Sequence, residues 1–563
     1  MKQHTMHFED VNGPTPNLDE VKAIYDEVEQ TINSSNDIDE MIESLNKWNS
    51  LRCEIGTWRN LVDLKNCQDT TNEEYKAAKD ASDELMPTLT EFRINLVEQL
   101  VNHPRRAELE AHIKPQAFKL WESEIPTFDP QIKQDLIDEQ KLKNRYNDLT
   151  AAAKINFDGQ SQNLSSMMKY QSDSDRKKRQ EAARLYWNWF AANQPELDEI
   201  FDQQVKLRDG MAKKLGFENY VDLAYLIMQR VDYSQDDVAR YRDMVKQDVT
   251  PVCEIIRERQ ASHIGVDNVA YWDESYFDPT GAPMPQGDHD WMIERAIEMF
   301  DEMGQEIGDF FRLMVNGNFM DLKIRDGKAG GGFCTFFDNI GMTYIYANFN
   351  GTRGDVQVFT HEVGHAFQGF MSREQPWIDY HWPTYESCEI HSMGLEFLTW
   401  PYMEKFFGDK ADSFRHVHLA SSLLFLPYGV SVDEFQHRVY ENPNAAPADR
   451  HAMWKEIEDK YSPSTDYGDM VHPAAGGRWQ AKRHIYMSPF YYIDYTLAQT
   501  CALQLWQAAE VDRESTLRDY VALCKRGGEA PFQDLVASAN LISPFQEGCL
   551  KNVVAKSREV LGV

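Results

Sequence analysis

The pentapeptide His361-Glu362-Val363-Gly364-His365, followed downstream by Glu389 in Glu389-Ile390-His391-Ser392-Met393-Gly394-Leu395-Glu396, constrains this chain more than any other feature. Two histidines four residues apart on a helix share one face, with Cβ atoms about 5–6 Å apart, so both imidazoles can bind one tetrahedral Zn²⁺. Glu362 stands roughly 100° round that helix from His361. From there it misses the metal and reaches a water bound to it, which is the place of a general base.

With 16 His in 563 residues, an accidental copy of this pattern is expected only about 0.03 times. The flanks support a helix: Val358, Phe359, Val363, Ala366, Phe367 and Phe370 leave an apolar stripe around the polar ligand face. Asp355, after Gly354, is the expected N-cap.

A catalytic zinc keeps three protein ligands and leaves one position for water. His361, His365 and Glu389 satisfy that count, and with one carboxylate the site keeps a net positive charge that lowers the pKa of the water. Glu389 belongs to a second helical segment, Glu389 to Phe397, able to pack across the first. Glu396 lies about 10.5 Å further along that axis, too far to share the metal directly. It suits a role orienting a ligand imidazole, with a surface carboxylate as the alternative. His391 points away from Glu389 and is a weak ligand candidate. The cluster His484, Tyr491, Tyr492 and Tyr495 offers hydrogen-bond donors for an oxyanion, although aromatics at this spacing commonly build core.

Composition excludes several classes. At 42% hydrophobic and 12% aromatic residues the chain is neither disordered nor fibrous. A net charge of −33, from 91 acidic against 58 basic side chains, opposes phosphate backbones and anionic lipid, so neither nucleic acid nor a membrane is an expected partner. Eight scattered cysteines without a Cys-x-x-Cys pair fit a reducing compartment. The stretch Met1 to Asp10 lacks the apolar run of a signal peptide, and no run of 18 apolar residues occurs. The expectation is a soluble cytoplasmic protein; its oligomeric state stays open.

From about Asn17 to Asn156 apolar residues recur at helical spacing, as in Val21, Ile24, Tyr25, Val28 and Ile32, with breaks near Ser34-Ser35-Asn36 and His103-Pro104. This predicts long antiparallel helices. Leu185, Tyr186, Trp189 and Phe190 continue the helical pattern as a core stripe. Near Asp321 the pattern changes: Gly330-Gly331-Gly332, then Phe333 to Phe337, Asn339-Ile340-Gly341 and Thr343 to Phe349 predict a small antiparallel sheet. Placed just before the metal helix, Thr343 to Phe349 is expected to be an exposed strand binding extended peptide by main-chain hydrogen bonds, with Tyr344 and Ala347 as substrate contacts. The alternative is a sheet that only covers the helices.

Four segments together resemble the thimet oligopeptidase and oligoendopeptidase F family of zinc peptidases, nearest its bacterial Pz-peptidase type. They are His361 to Phe367; Glu389 with Glu396; Pro427-Tyr428-Gly429-Val430 followed by Asp433-Glu434-Phe435-Gln436-His437; and Ser488-Pro489-Phe490-Tyr491-Tyr492-Ile493-Asp494-Tyr495. The resemblance runs from about Leu185 to the C-terminus. It implies a mainly α, elongated body with a deep channel and one Zn²⁺ at its floor, cleaving internal bonds of short unstructured peptides. It also implies that His484 and a tyrosine stabilise the oxyanion, with Tyr492 and Tyr495 matching the family spacing and Tyr491 or Tyr492 facing substrate. The expected division is an N-terminal helical region, 1–160, and a catalytic region, 161–563.

Two other readings compete. Glu362-Val363-Gly364-His365 and Glu434-Phe435-Gln436-His437 are two Glu-x-x-His motifs, as in di-iron carboxylate proteins. A helical scaffold with an inert motif is the other; it requires no stoichiometric metal.

Overall fold

Helices begin where short polar side chains can cap them. In the computed structural model, which describes residues 6–563, Asn17, Asp37 and Asn72 accept backbone N–H groups at the starts of α1 (Leu18–Ser34), α2 (Ile38–Gln68) and α3 (Glu73–Val101). Met1 to Thr5, the start of the stretch lacking a signal-peptide run, lie outside the described residues. Val21, Tyr25, Val28 and Ile32 of α1 pack with Trp48 of α2 and Leu96 of α3 into one core, as their spacing predicts. Trp377 and Tyr380, far along the chain, join that core. A buried ion pair, Arg52 with Asp379 at 2.8 Å, ties α2 to the same segment.

A hairpin of β1 (Ile155–Phe157) and β2 (Gln160–Gln162), turned at Asp158-Gly159 with φ of 54° and 73°, leads to the long helix α4 (Arg176–Lys214). Trp187 and Phe190 of α4 enter the main core. The body is mostly helical and the sheets are small. No helix among the described residues is long and apolar enough to cross a membrane.

The sheet beside the metal helix differs from expectation. Its strands are β3 (Met320–Lys323), β4 (Phe333–Phe337) and β5 (Met342–Phe349), in the order β3-β5-β4. β4 pairs antiparallel with β5, but β3 runs parallel to it, so the sheet is mixed. A parallel pair requires a crossover. Residues 324–341, which include β4, supply it; the part before β4 is held by Lys328, whose ammonium bonds Asp321 and the Ala347 carbonyl. β5 is therefore the central strand and has no free edge. Tyr344 and Ala347 are 3% and 1% exposed, and the Tyr344 hydroxyl accepts from Gln68 Nε2 at 3.0 Å. The expected substrate edge along Thr343 to Phe349 is thus corrected. The outer strands are β3 and β4; on β4, the one beside the metal helix, Asn60 of α2 covers one end by donating to the Phe336 carbonyl at 2.8 Å.

Candidate active site

The metal helix α5 (Arg353–Ser372) starts three residues earlier than expected, with Thr352 rather than Asp355 at its N-cap. Asp355 instead sits in the first turn, and its carboxylate accepts the backbone N–H of Asn350 at 3.0 Å and of Gly351 at 2.6 Å. Helix α6 (Tyr385–Leu398) packs across α5. Gly364 permits the contact: a Cβ there would stand 2.6 Å from the His391 carbonyl oxygen and 2.6 Å from Ser392 Cα.

This crossing assembles the predicted triad. Donor atoms of His361, His365 and Glu389 lie within 4.8 Å of one another. Glu389 Oε2 is 3.2 Å from His361 Nε2 and 3.3 Å from His365 Nε2. Two imidazole nitrogens and a carboxylate oxygen around one point suit a divalent metal with an open fourth position. Ser392 Oγ donates to Glu389 Oε2 at 2.9 Å, and the Tyr491 hydroxyl donates to Oε1. Both oxygens of the ligand carboxylate are thereby held.

The tautomers follow from the outer contacts. Trp400 Nε1 donates to His418 Nδ1 at 2.9 Å, so His418 carries its proton on Nε2 and donates it to Glu396 Oε2 at 2.9 Å. Gln357 Nε2 donates to the same oxygen at 3.0 Å. His361 Nδ1 is 2.8 Å from Glu396 Oε1 and is the donor, which leaves the Nε2 lone pair for the metal. Burial alone would raise the Glu396 carboxyl, but its bonds to His361 and His418 outweigh it and hold it at about 2. Glu396 therefore orients a ligand imidazole and is no surface carboxylate. Glu396→Gln is expected to weaken metal binding about 10–100-fold, read by competition with a chelator; unchanged affinity would remove Glu396 from this role.

Glu362 lies beside the triad, 5% exposed. Its Oε2 has no hydrogen-bond partner, and its Oε1 is 3.3 Å from where a Cβ on Gly332, just before β4, would project. Burial raises its carboxyl above the ordinary range. An unpaired carboxylate oxygen next to three converging donors is available to take a proton.

The tyrosine cluster divides differently from the family spacing. Helix α7 (Tyr492–Val511) follows Phe490, whose φ of +67° is costly for an aromatic residue. Gln436 Oε1 accepts the Phe490 N–H at 2.8 Å, and Arg230 donates to its carbonyl at 2.6 Å, holding that turn. Tyr491 and Tyr495, one helical turn apart, face the site; the Tyr495 hydroxyl is 3.4 Å from His484 Nε2. Tyr492 turns away, and its hydroxyl accepts from Lys482 Nζ at 2.9 Å. The structure therefore pairs Tyr495 with Tyr491, on Glu389, rather than with Tyr492. Burial, helped by Lys482 and Arg483, lowers His484 to about 3, so it is neutral near pH 7.

His391 is fully buried and outside the triad. Glu434 bonds Arg438, Lys460 and Tyr461, and His437 meets Tyr225, so the second Glu-x-x-His motif does not join the first. His418 and Trp400 escaped the sequence reading because no spacing links them to the motif; Gln357, one helical turn before His361, could have been found from its i, i+4 spacing.

A helix carrying His361, Glu362 and His365, crossed by a helix carrying Glu389 inside a mostly helical body, defines a metallopeptidase. The model of Peptidase family M3 matches residues 169–554, and that of the Peptidase M3 N-terminal domain matches residues 8–128. The chain belongs to Peptidase family M3. It is 42% identical to the structure titled Pz peptidase A with inhibitor 2, covering 99% of each chain at a TM-score of 0.97. It is 44% identical to a putative oligoendopeptidase F, again covering 99% of each at 0.97. A putative oligoendopeptidase F from Bacillus anthracis str. Ames is 42% identical, with 99% and 98% covered and a TM-score of 0.92. The comparison with curated proteins gave no match.

Proposed function

We propose that this chain is a cytoplasmic zinc-dependent oligoendopeptidase that cleaves internal bonds of short, unstructured peptides, with one Zn²⁺ per chain. The observation that carries the reading is the unpaired Glu362 oxygen beside a triad whose His361 tautomer is set by Glu396. The two nitrogens and one oxygen fit zinc, held by His361, His365 and Glu389. Zinc bound there would supply a Lewis acid that polarises the scissile carbonyl and acidifies water.

The chain's own groups do the rest. Glu362 takes the proton of the attacking water and returns it to the leaving nitrogen. Tyr495 and neutral His484 donate to the oxyanion. Tyr491 acts through Glu389 as a positioning residue. The β4 edge, with Gly332 against Glu362, offers main-chain groups to an extended peptide. Residues 1–160 form the N-terminal helical region of this reading and 161–563 its catalytic region. The ligand imidazoles keep 19% and 12% side-chain exposure, so a peptide can reach them from solvent.

A diverse library of quenched peptides tests this at neutral pH. Cleavage is expected for short peptides, lost on chelation and restored by zinc. No hydrolysis by zinc-replete protein would refute it.

A further inference from the structure

The positions of α5 that keep contact with solvent ahead of its second histidine are Arg353, Gly354, Gln357, Val358 and His361. They form one stripe that begins at Arg353 and ends on the metal ligands. Arg353 is half-buried, yet among the described residues its guanidinium makes no hydrogen bond or ion pair. Every other buried or half-buried arginine meets an oxygen acceptor, as Arg230 meets Asp494 at 3.0 Å and Arg208 meets Glu139 at 2.8 Å. Burial alone lowers Arg353 to about 10, with no carboxylate opposing it.

In a chain with 91 acidic side chains, this half-buried guanidinium keeps its N–H groups toward solvent with no carboxylate drawn to it, so its donors stay open to an incoming acceptor. The missing partner is supplied if it arrives with the ligand. A planar five-donor fork matches a carboxylate bidentately.

The sheet sets the direction. Gly332, before β4, abuts Glu362 and Val358, whereas Phe336 packs near Gly369 and Trp382, further along α5. A peptide lying antiparallel to β4 therefore sends its C-terminal half past Gly332 towards the start of α5. Arg353 stands eight residues before His361, about 12 Å along the helix axis. At about 3.3 Å per extended residue that is three or four residues beyond the metal.

We propose that Arg353 is a subsite that receives a substrate carboxylate three or four residues beyond the scissile bond, on the leaving-group side. This rests on the peptidase reading above. The carboxylate is either the peptide's own C-terminus or an Asp or Glu side chain.

One quenched-peptide sequence, made as free acid, as C-terminal amide, and as amide with Glu or Gln at the third position after the cleaved bond, tests it on wild type, Arg353→Gln and Arg353→Lys. Wild type is expected to favour a carboxylate-bearing form over its neutral counterpart about 10–100-fold in kcat/KM, mostly through KM. Preference for the free acid assigns the C-terminus; preference for Glu over Gln within the amides assigns a side chain. That ratio is expected to fall to about threefold or less in Arg353→Gln and to survive in part in Arg353→Lys. Because Arg353 bonds nothing in the fold, Arg353→Gln is expected to melt at or above the wild-type temperature, separating lost recognition from lost structure. Wild type cleaving charged and neutral forms alike, or Arg353→Gln keeping the wild-type ratio, overturns the subsite while leaving the peptidase reading intact. A wild type that cleaves no form refutes both.

Discussion

Glu362→Gln is expected to bind metal as wild type does and to lose about 10²–10⁴-fold in kcat. The substitution keeps shape and volume, and Glu362 ligates nothing in the triad, so the donor set of His361, His365 and Glu389 is untouched. What disappears is the basic oxygen. Its Oε2 has no partner and its burial is unfavourable to the charged form, so the amide should fold at least as stably. Metal content and peptide turnover measured on the same preparations read both effects. A variant that cleaves at the wild-type rate would remove Glu362 as the base, and one that loses its metal would reassign it as a ligand.

Gly364→Ala is expected to damage fold and site together. A methyl group there would lie 2.6 Å from the His391 carbonyl oxygen and from Ser392 Cα. Both obstacles are backbone, so no rotamer change relieves the clash and α5 must move from α6 by about 1 Å. Overpacking of this kind costs about 1–3 kcal/mol or more. The same shift moves Glu389 relative to His361 and His365, and a displacement of about 1 Å can cost about 10²-fold in rate. Gly210→Ala is the control: it lies inside α4, and nothing lies within 4 Å of its added Cβ. Its helix propensity should raise stability by up to about 1 kcal/mol. Thermal melts, metal titration and turnover of the three proteins decide the matter. Wild-type behaviour in Gly364→Ala would show that the helices do not need this approach.

The substrate strand shows where local pattern stops informing. Thr343 to Phe349 has the composition of a strand and forms one, yet an apolar run does not state which neighbours it has. Placing β3 parallel on one side and β4 antiparallel on the other turned the expected edge into the centre. Asp355 is a similar case: its carboxylate caps the turn before α5 from inside the first helical turn, and the N-cap itself is Thr352. The Tyr492–Tyr495 spacing likewise fitted the family pattern, but the left-handed Phe490 sets the phase of α7 so that Tyr491 and Tyr495 face the metal triad.

By itself the sequence determined what helical periodicity can carry: two histidines on one face, a glutamate beside them, a second acidic helix, and the helical N-terminal region. These depend on separations of a few residues, where backbone geometry leaves one spatial answer. Tertiary structure alone decided what brings distant residues together. It placed Glu396 between His361 and His418, Tyr491 on Glu389, β4 rather than β5 at an edge of the sheet, and Arg353 without a side-chain acceptor on the stripe leading to the metal ligands. Those arrangements come from helix crossing and strand order, which are set by the packing of the whole core rather than by any local spacing.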